Sequence, residues 1–508
     1  MTGVHILVFL KSAAKVGMLA GAALALAGTT LAIWENMPIA PASTLSSKLD
    51  QTRNEALLRS QEWSESGHST QPAAAPDVGD SVSHIRQSDD FLEATRVADM
   101  ARLLAMEPVL TMAMLNADPN MDHTATGSVT VLKTRRLTGY RPGLERFHAR
   151  LDALLAGRRE RPLTVLHIGG SHAEHADFAS QMRAQLQSRF GDAGRGMMMP
   201  GSFETSGRDE TATVALSGDW KQRDITQQRR GRFGLSGRSM ATSAKGASMR
   251  LVANGDVFDW AAVTVATGPQ QGLVTLRVGD TTKTVSARAP KKGSRKFRID
   301  AKGTQFQISA SGEGETTVLN WATGRNKPGV RFVSFGRSNA TADSLHRYNA
   351  RLLENDIRRL APDLVILSYG TEEALDPQLD LSGYKSRFEK SLKRLKRWAY
   401  DANFVFVGAP STLVQAQNGD GPCNGWSPPA GKGPVQQIIM DLADRHNAAY
   451  WDWTKAMGGP CSAHSWALSG LASQDRSALT KDGYGHSAKL LTEWLSRKSL
   501  DAVASNQR

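Results

Sequence analysis

Ser171 ends an apolar run that passes through two glycines, Leu163-Thr-Val-Leu-His-Ile-Gly-Gly-Ser171, and a helix-like stretch, Ala176 to Phe190, follows it. A buried strand, a tight turn and a helix place a serine hydroxyl at the carboxyl end of a parallel strand. Backbone N–H groups and the partial positive charge of the helix start then face the point where an oxyanion develops during acyl transfer. A Gly-Gly-Ser turn is also an ordinary turn, so this segment alone does not single out catalysis. Histidines that could serve as a base are His172 and His175 beside the serine, and His464 and His486 far along the chain. His172, His175 and Asp177 offer no fourth ligand in a recognised arrangement, and no metal is assigned to them. Glu372 lies in the loop Tyr369-Gly-Thr-Glu-Glu-Ala374 after the apolar run Leu364-Val-Ile-Leu367. A carboxylate there becomes a base when burial raises its pKa.

The elements that must position these groups alternate. After the run 364–367 come a basic amphipathic helix, Tyr384–Tyr400, a strand at Phe404–Gly408, a helix from about Pro434 to Asn447 and a short strand at Ala449–Trp451. Strands alternating with helices predict a parallel sheet covered on both faces, with the ligand site outside the carboxyl ends of its strands. The serine turn and the Gly370 loop are expected to meet there. Between about 205 and 335 the pattern changes to short alternating runs, such as Trp260-Ala-Ala-Val-Thr-Val265 and Gly272-Leu-Val-Thr-Leu-Arg-Val278, separated by polar turns. These predict an inserted all-β sandwich, which either binds carbohydrate or acts as a spacer. Trp260 and Trp321 read equally as sugar-stacking platforms or as core.

The chain of 508 residues has room for two or three domains, and its 40% hydrophobic and 22% charged content excludes a wholly disordered, collagen-like or multi-span membrane protein. Lys and Arg exceed Asp and Glu by 62 to 49. The surplus is spread out and no nucleic-acid-binding module accompanies it, so anionic envelope components are favoured as partners over nucleic acid. Val16 to Trp34 is free of charge for nineteen residues and follows Lys11 and Lys15. This predicts a signal anchor within residues 1–35, with the basic end cytoplasmic; a cleaved signal peptide ending at Ala25-Leu-Ala27 is the rival reading. The expected location is the bacterial inner membrane with a periplasmic domain, or the periplasm after cleavage. Residues 36–88 read as a disordered linker, 89–204 as a helical start and the first part of the α/β domain, 205–335 as the insert, 336–497 as the second part and 498–508 as a flexible tail. Ser88 caps a helix that is expected to run to about Met106, and a second helix is expected near Gly143–Ala156. Cys423 and Cys461 are the only cysteines. In an exported chain they form one disulfide, and two separate thiols are the alternative.

Taken in order, His167-Ile-Gly-Gly-Ser-His172, Phe190-Gly-Asp-Ala-Gly-Arg-Gly196, Phe335-Gly-Arg-Ser-Asn-Ala-Thr-Ala342, Pro362-Asp-Leu-Val-Ile-Leu-Ser-Tyr-Gly-Thr-Glu-Glu373, Trp451-Asp-Trp-Thr-Lys-Ala-Met-Gly-Gly459 and the segment Gly470 to Tyr484 resemble SGNH/GDSL hydrolases. The closest branch is the peptidoglycan and exopolysaccharide O-acetylesterases with an inserted β-sandwich, and the likeness covers about residues 140–497. It implies a three-layer α/β/α domain, acetyl-ester chemistry on a polysaccharide and no cofactor. It also implies that Ser171 stands at the nucleophile and Asp475 at the orienting acid. The other positions depart from the pattern. Gly170 replaces the aspartate before the serine, Asn339 the block-two glycine, Glu372 the oxyanion-hole asparagine and Ala478 the histidine.

Loss of a triad histidine alone costs about a million-fold in a serine protease, and loss of one oxyanion donor roughly a hundred- to a thousand-fold. The expectation is therefore a degenerate esterase that binds polysaccharide or peptidoglycan, or scaffolds an exopolysaccharide-synthase complex, cellulose synthesis included. The alternatives are an active O-acetylesterase or acetyltransferase using Ser171, and a purely structural partner of a membrane complex.

Overall fold

A computed structural model describes residues 143–201, 211–228 and 231–506. The anchor at Val16–Trp34, the linker at 36–88 and the helix expected up to Met106 lie outside the described residues. Among the described residues no helix is long and apolar enough to cross a membrane.

Five parallel strands form the central sheet, in the order Val330–Gly336, Leu163–Gly169, Leu364–Ser368, Asn403–Val407 and Ala449–Trp451. Each is apolar on both faces, as a strand covered from two sides must be. Alternate residues enter separate cores. Leu166, Ile168, Val333, Val365 and Phe404 pack against the helices Ala350–Leu360, Leu381–Trp398 and Lys432–Arg445. Val165, Phe332, Ile366 and Val405 face the helices Glu145–Leu155, Ala176–Phe190 and Lys481–Asn506. The result is the three-layer α/β/α architecture, with the last helix continuing into the segment read as a tail.

Two helix starts differ from the sequence reading by a few residues, each for a local reason. The basic helix begins at Leu381 and not at Tyr384, because Asp380 caps it by accepting the Gly383 N–H at 2.9 Å. The helix expected from Pro434 begins at Lys432, since proline in a first turn removes an N–H that has no helical partner anyway.

The insert occupies the crossover between the first two strands of the sheet. Its antiparallel strands from Ala212 to Gly324, joined by Gly196–Met198, form a six-stranded and a five-stranded sheet. Leu251, Val263, Leu276, Phe306, Ile308 and Trp321 fill the space between them. The boundary at 335 is corrected: Val330–Gly336 pairs in parallel with Leu163–Gly169 along its whole length, because its alternate apolar residues are needed in both α/β cores. The short strand Gly196–Met198, before the expected start of the insert, pairs with Thr316–Gly324 and ties the sandwich to the chain that enters it.

The sugar-stacking reading of the two tryptophans is also corrected. Trp321 is fully buried against Phe306 and donates its ring N–H to the Met199 carbonyl at 2.9 Å. Trp260 is 5% exposed and covered by Lys296, Arg298 and Arg331. Neither ring has a face left for a sugar. Cys423 and Cys461 are joined as a disulfide across 38 residues. Closing a loop of that length restricts the unfolded chain by about 3 to 4 kcal/mol in the chain-entropy treatment.

Candidate functional site

In chain order the parallel strands lie 2-1-3-4-5 across the sheet, so successive connections leave the first strand in opposite directions. A crevice opens at such a reversal, outside the carboxyl ends. Three loops meet there: Gly170-Ser171 after the first strand, Arg337-Ser338-Asn339 after the second and Gly370 to Glu373 after the third.

Ser171 begins the short helix Ser171–Glu174, which lies directly on the neighbouring strand end. Gly336 allows that approach, since a Cβ there would sit 1.8 Å from the Glu174 nitrogen. Glu174 in turn fixes the second loop. Its Oε2 accepts the Ser338 N–H at 2.6 Å and also the Ser338 hydroxyl. Asn339, next in the chain, takes a left-handed conformation with φ 59° and donates its N–H to Ser171 Oγ at 3.3 Å.

The third loop brings Glu372 to the serine. Glu372 Oε1 accepts the Ser171 hydroxyl at 2.5 Å and the Ser171 N–H at 2.9 Å. The N–H that would hold an oxyanion thus carries a carboxylate of the chain itself. Gly170 makes room for it: a Cβ at 170 would lie 2.5 Å from Glu372 Oε2 and 2.8 Å from Oε1. The glycine before the serine and the glutamate across the crevice form one steric unit.

Glu373, the next residue, holds the loops together from beneath. It is fully buried, and its two oxygens accept the Gly370 N–H at 2.8 Å and the Ala342 N–H at 2.7 Å. Burial pushes its pKa up to about 7, with Glu372 adding to the rise and the backbone hydrogen bonds opposing it. The folded protein therefore retains a proton that the unfolded chain releases near pH 4.5. Glu373's own contribution to stability is expected to fall as pH rises from about 4.5 to about 7 and to level off above, where both states are ionised; the buried His172, pushed down to about 4, contributes with the opposite sign. The difference in melting temperature between Glu373→Gln and the wild type should therefore change with pH across that window in favour of the variant at the upper end; a difference that stays constant with pH would show that Glu373 does not titrate there.

Asp475 and Ala478 complete the residues named from the sequence, and they are not assembled with Ser171 by any hydrogen bond. Asp475 Oδ1 accepts the Ser473 hydroxyl and the Ser477 N–H, at 3.1 Å for the latter, inside its own exposed loop. The Ser473 hydrogen bond, then those from Ser477, hold its pKa below the usual carboxylate value. Ala478 offers a methyl group, and its N–H goes to Ser473 Oγ at 3.1 Å.

The histidines are occupied elsewhere. His172 is buried, shares a hydrogen bond of 2.9 Å with the Tyr484 hydroxyl and is pushed down to about 4 by burial and then by His175. His175 stacks on the Tyr484 ring and lies 3.4 Å from Asp177. His464 shares a hydrogen bond with Asn424, and His486 packs edge-on against Trp466. Among the described residues no imidazole is hydrogen-bonded to Ser171, and no group of three or more His, Cys, Asp or Glu is placed to hold a metal ion.

Sequence reasoning missed Glu174 and Glu373, whose acceptor roles arise from chain brought together across more than thirty residues. The signal for the Gly170 and Glu372 pair was present: one position loses a carboxylate where another gains one.

No family model matches the chain, and no curated protein matches it in sequence. Among solved structures, a peptidoglycan O-acetylesterase superposes with a TM-score of 0.62 at 25% identity, covering 70% of this chain and 96% of the other. A family two carbohydrate esterase from Cellvibrio japonicus, at 10% identity over 57% of this chain and 98% of its own, has a TM-score of only 0.24, too low to carry an argument. The described part of the chain has an SGNH/GDSL hydrolase-like fold.

Proposed function

We propose that this chain is a non-catalytic relative of the carbohydrate O-acetylesterases, which uses the old crevice and its surroundings to hold a glycan during envelope or exopolysaccharide assembly, cellulose included. One observation carries the reading: Glu372 Oε1 takes both the N–H and the hydroxyl of Ser171. Acyl transfer requires that N–H for the developing oxyanion, and a fixed negative charge there opposes the second one that the reaction would form. A methyl group at 478 leaves the hydroxyl without the imidazole that would activate it. The glycan part of the proposal draws on the structural neighbour, whose name gives peptidoglycan as its substrate. An inner-membrane anchor at Val16–Trp34 and a synthase complex as partner belong to the same proposal, motivated by the charge-free stretch at the N-terminus.

A second reading has its own support. At 2.5 Å from Ser171 Oγ, Glu372 is within reach to act as a general base for an esterase or acetyltransferase. Against it, the oxygen that would accept the proton is the one seated on the Ser171 N–H.

Retention on insoluble peptidoglycan and on cellulose separates these readings. The full-length chain and Ser171→Ala are expected to be retained equally on at least one of them. Retention of neither would leave only a structural partner without glycan contact, and retention that needs the serine hydroxyl would return the site to acyl chemistry.

A further inference from the structure

Beside Asn339 a cleft of about 550 Å³ opens between the inserted sandwich and the α/β domain, and Ser171 is not among the residues that line it. That is within the range of pockets that hold small ligands. Its floor is an ion-pair network. Asp224 lies 3.4 Å from Arg238 and 3.5 Å from Arg337, while Glu174 lies 3.9 Å from Arg337. Arg337 also donates to the carbonyl of its neighbour Gly336 and to that of Ser236, and the second bond pins the Arg337-Ser338-Asn339 loop to the sandwich. Both acids of the floor are thus committed, Asp224 to Arg238, Arg337 and the N–H and hydroxyl of Thr226, and Glu174 to Arg337 and Ser338.

The walls are different. Gln222 and Gln227 from the sandwich, and Asn339, Thr341 and Arg347 from the α/β domain, have no side-chain partner among the described residues. No aromatic ring lines the cleft among the described residues, so ring stacking is not its mode of binding. Amides and hydroxyls of this kind match the alternating donors and acceptors of a polyol. The Arg347 guanidinium is exposed and among the described residues is paired with no carboxylate, and its planar fork suits a carboxylate or phosphate.

Resting on the glycan-binding reading above, we infer that this cleft binds an acidic polysaccharide segment, with sugar hydroxyls on Gln222, Gln227 and Asn339 and the anionic substituent on Arg347. The fixed floor means that little ordering is needed on binding. Asn339 joins the two regions, since its N–H meets Ser171 Oγ and the residue also lines the cleft.

The test is calorimetric titration of the full-length chain with a galacturonate hexamer, a glycerol-phosphate hexamer and a neutral glucan hexamer. At least one acidic oligomer is expected to bind more tightly than the neutral glucan, with an affinity that falls as sodium chloride is raised. Arg347→Gln should weaken that acidic oligomer about tenfold and leave the neutral one unchanged. Gln222→Ala with Gln227→Ala should weaken both kinds. Preference for the uronate assigns a carboxylate as the recognised group, and preference for the phosphodiester assigns a phosphate. Unaltered binding of the acidic oligomers in Arg347→Gln, or a neutral glucan bound equally well, overturns the acidic assignment while glycan binding stands. If none of the oligomers binds although the chain is retained on polysaccharide, the cleft is the wrong place. Ester turnover abolished by Ser171→Ala would end the non-catalytic reading and leave the Arg347 comparison intact.

Discussion

Purified protein is expected to release neither acetate from O-acetylated peptidoglycan nor nitrophenol from its acetate ester faster than the Ser171→Ala variant does. The magnitude follows from what each departure removes. Without an imidazole the serine keeps its proton, a loss of about a million-fold where a triad has been dismantled. A carboxylate on the Ser171 N–H removes an oxyanion donor, worth roughly a further hundred- to thousand-fold taken alone, although such losses do not multiply cleanly. Together they bring the rate to that of the uncatalysed reaction. The converse experiment is Ala478→His combined with Glu372→Asn. It restores a base three residues after Asp475 and empties the hole, and the gain expected from a positioned base alone is roughly a hundred- to ten-thousand-fold. A folded double variant with no gain would mean that the loop from Leu471 to Thr480, where Asp475 now serves Ser473 and Ser477, no longer brings a side chain to the serine. Wild-type turnover that vanishes in Ser171→Ala would defeat the non-catalytic reading outright.

Gly170→Asp is expected to destabilise the fold by about 2 to 4 kcal/mol, and Glu372→Asn should recover part of that loss. A side chain at 170 meets both Glu372 oxygens within 3 Å and also the Ala340 carbonyl at 2.9 Å. The contact with the backbone oxygen persists in the double variant, so recovery is incomplete. The contact with the carboxylate does not persist, and the repulsion between two carboxylates is relieved with it. Denaturant midpoints of the wild type, both single variants and the double variant give the coupling, expected at about 1 kcal/mol or more. Strict additivity would show that the two positions changed independently. Restoring the aspartate that precedes the serine in the family pattern is thus harmful here, because the space it would use is taken.

Much of this was legible from residue order. The mostly apolar run at 163–168, interrupted by Thr164 and His167, and the apolar run at 364–367 read as strands covered on both faces from their shortness and the turn residues that follow, which set the crevice at their carboxyl ends. The short alternating runs between 212 and 324 read as a sandwich for an equally local reason, the period of two. The insert ends before 335 because Val330–Gly336, apolar at 330, 332, 333 and 335, joins the parallel sheet, and residue order does not say which sheet a strand joins. The two tryptophans show the same limit. A large ring at a strand position is either platform or core, and only packing against Phe306 in one case and under three cations in the other decides it.

The sequence by itself determined which groups are missing: the chain has alanine at 478, glycine at 170 and glutamate at 372, and no arrangement of backbone can supply an imidazole from a methyl group. Only the tertiary structure decided what stands in their place. Whether Glu372 would point away, act as a base or fill the hole depended on distances between loops some two hundred residues apart in the chain, set by the register of three adjacent strands. A hydrogen bond acts over about 3 Å, and local residue preference carries no information on that scale about partners so remote in sequence.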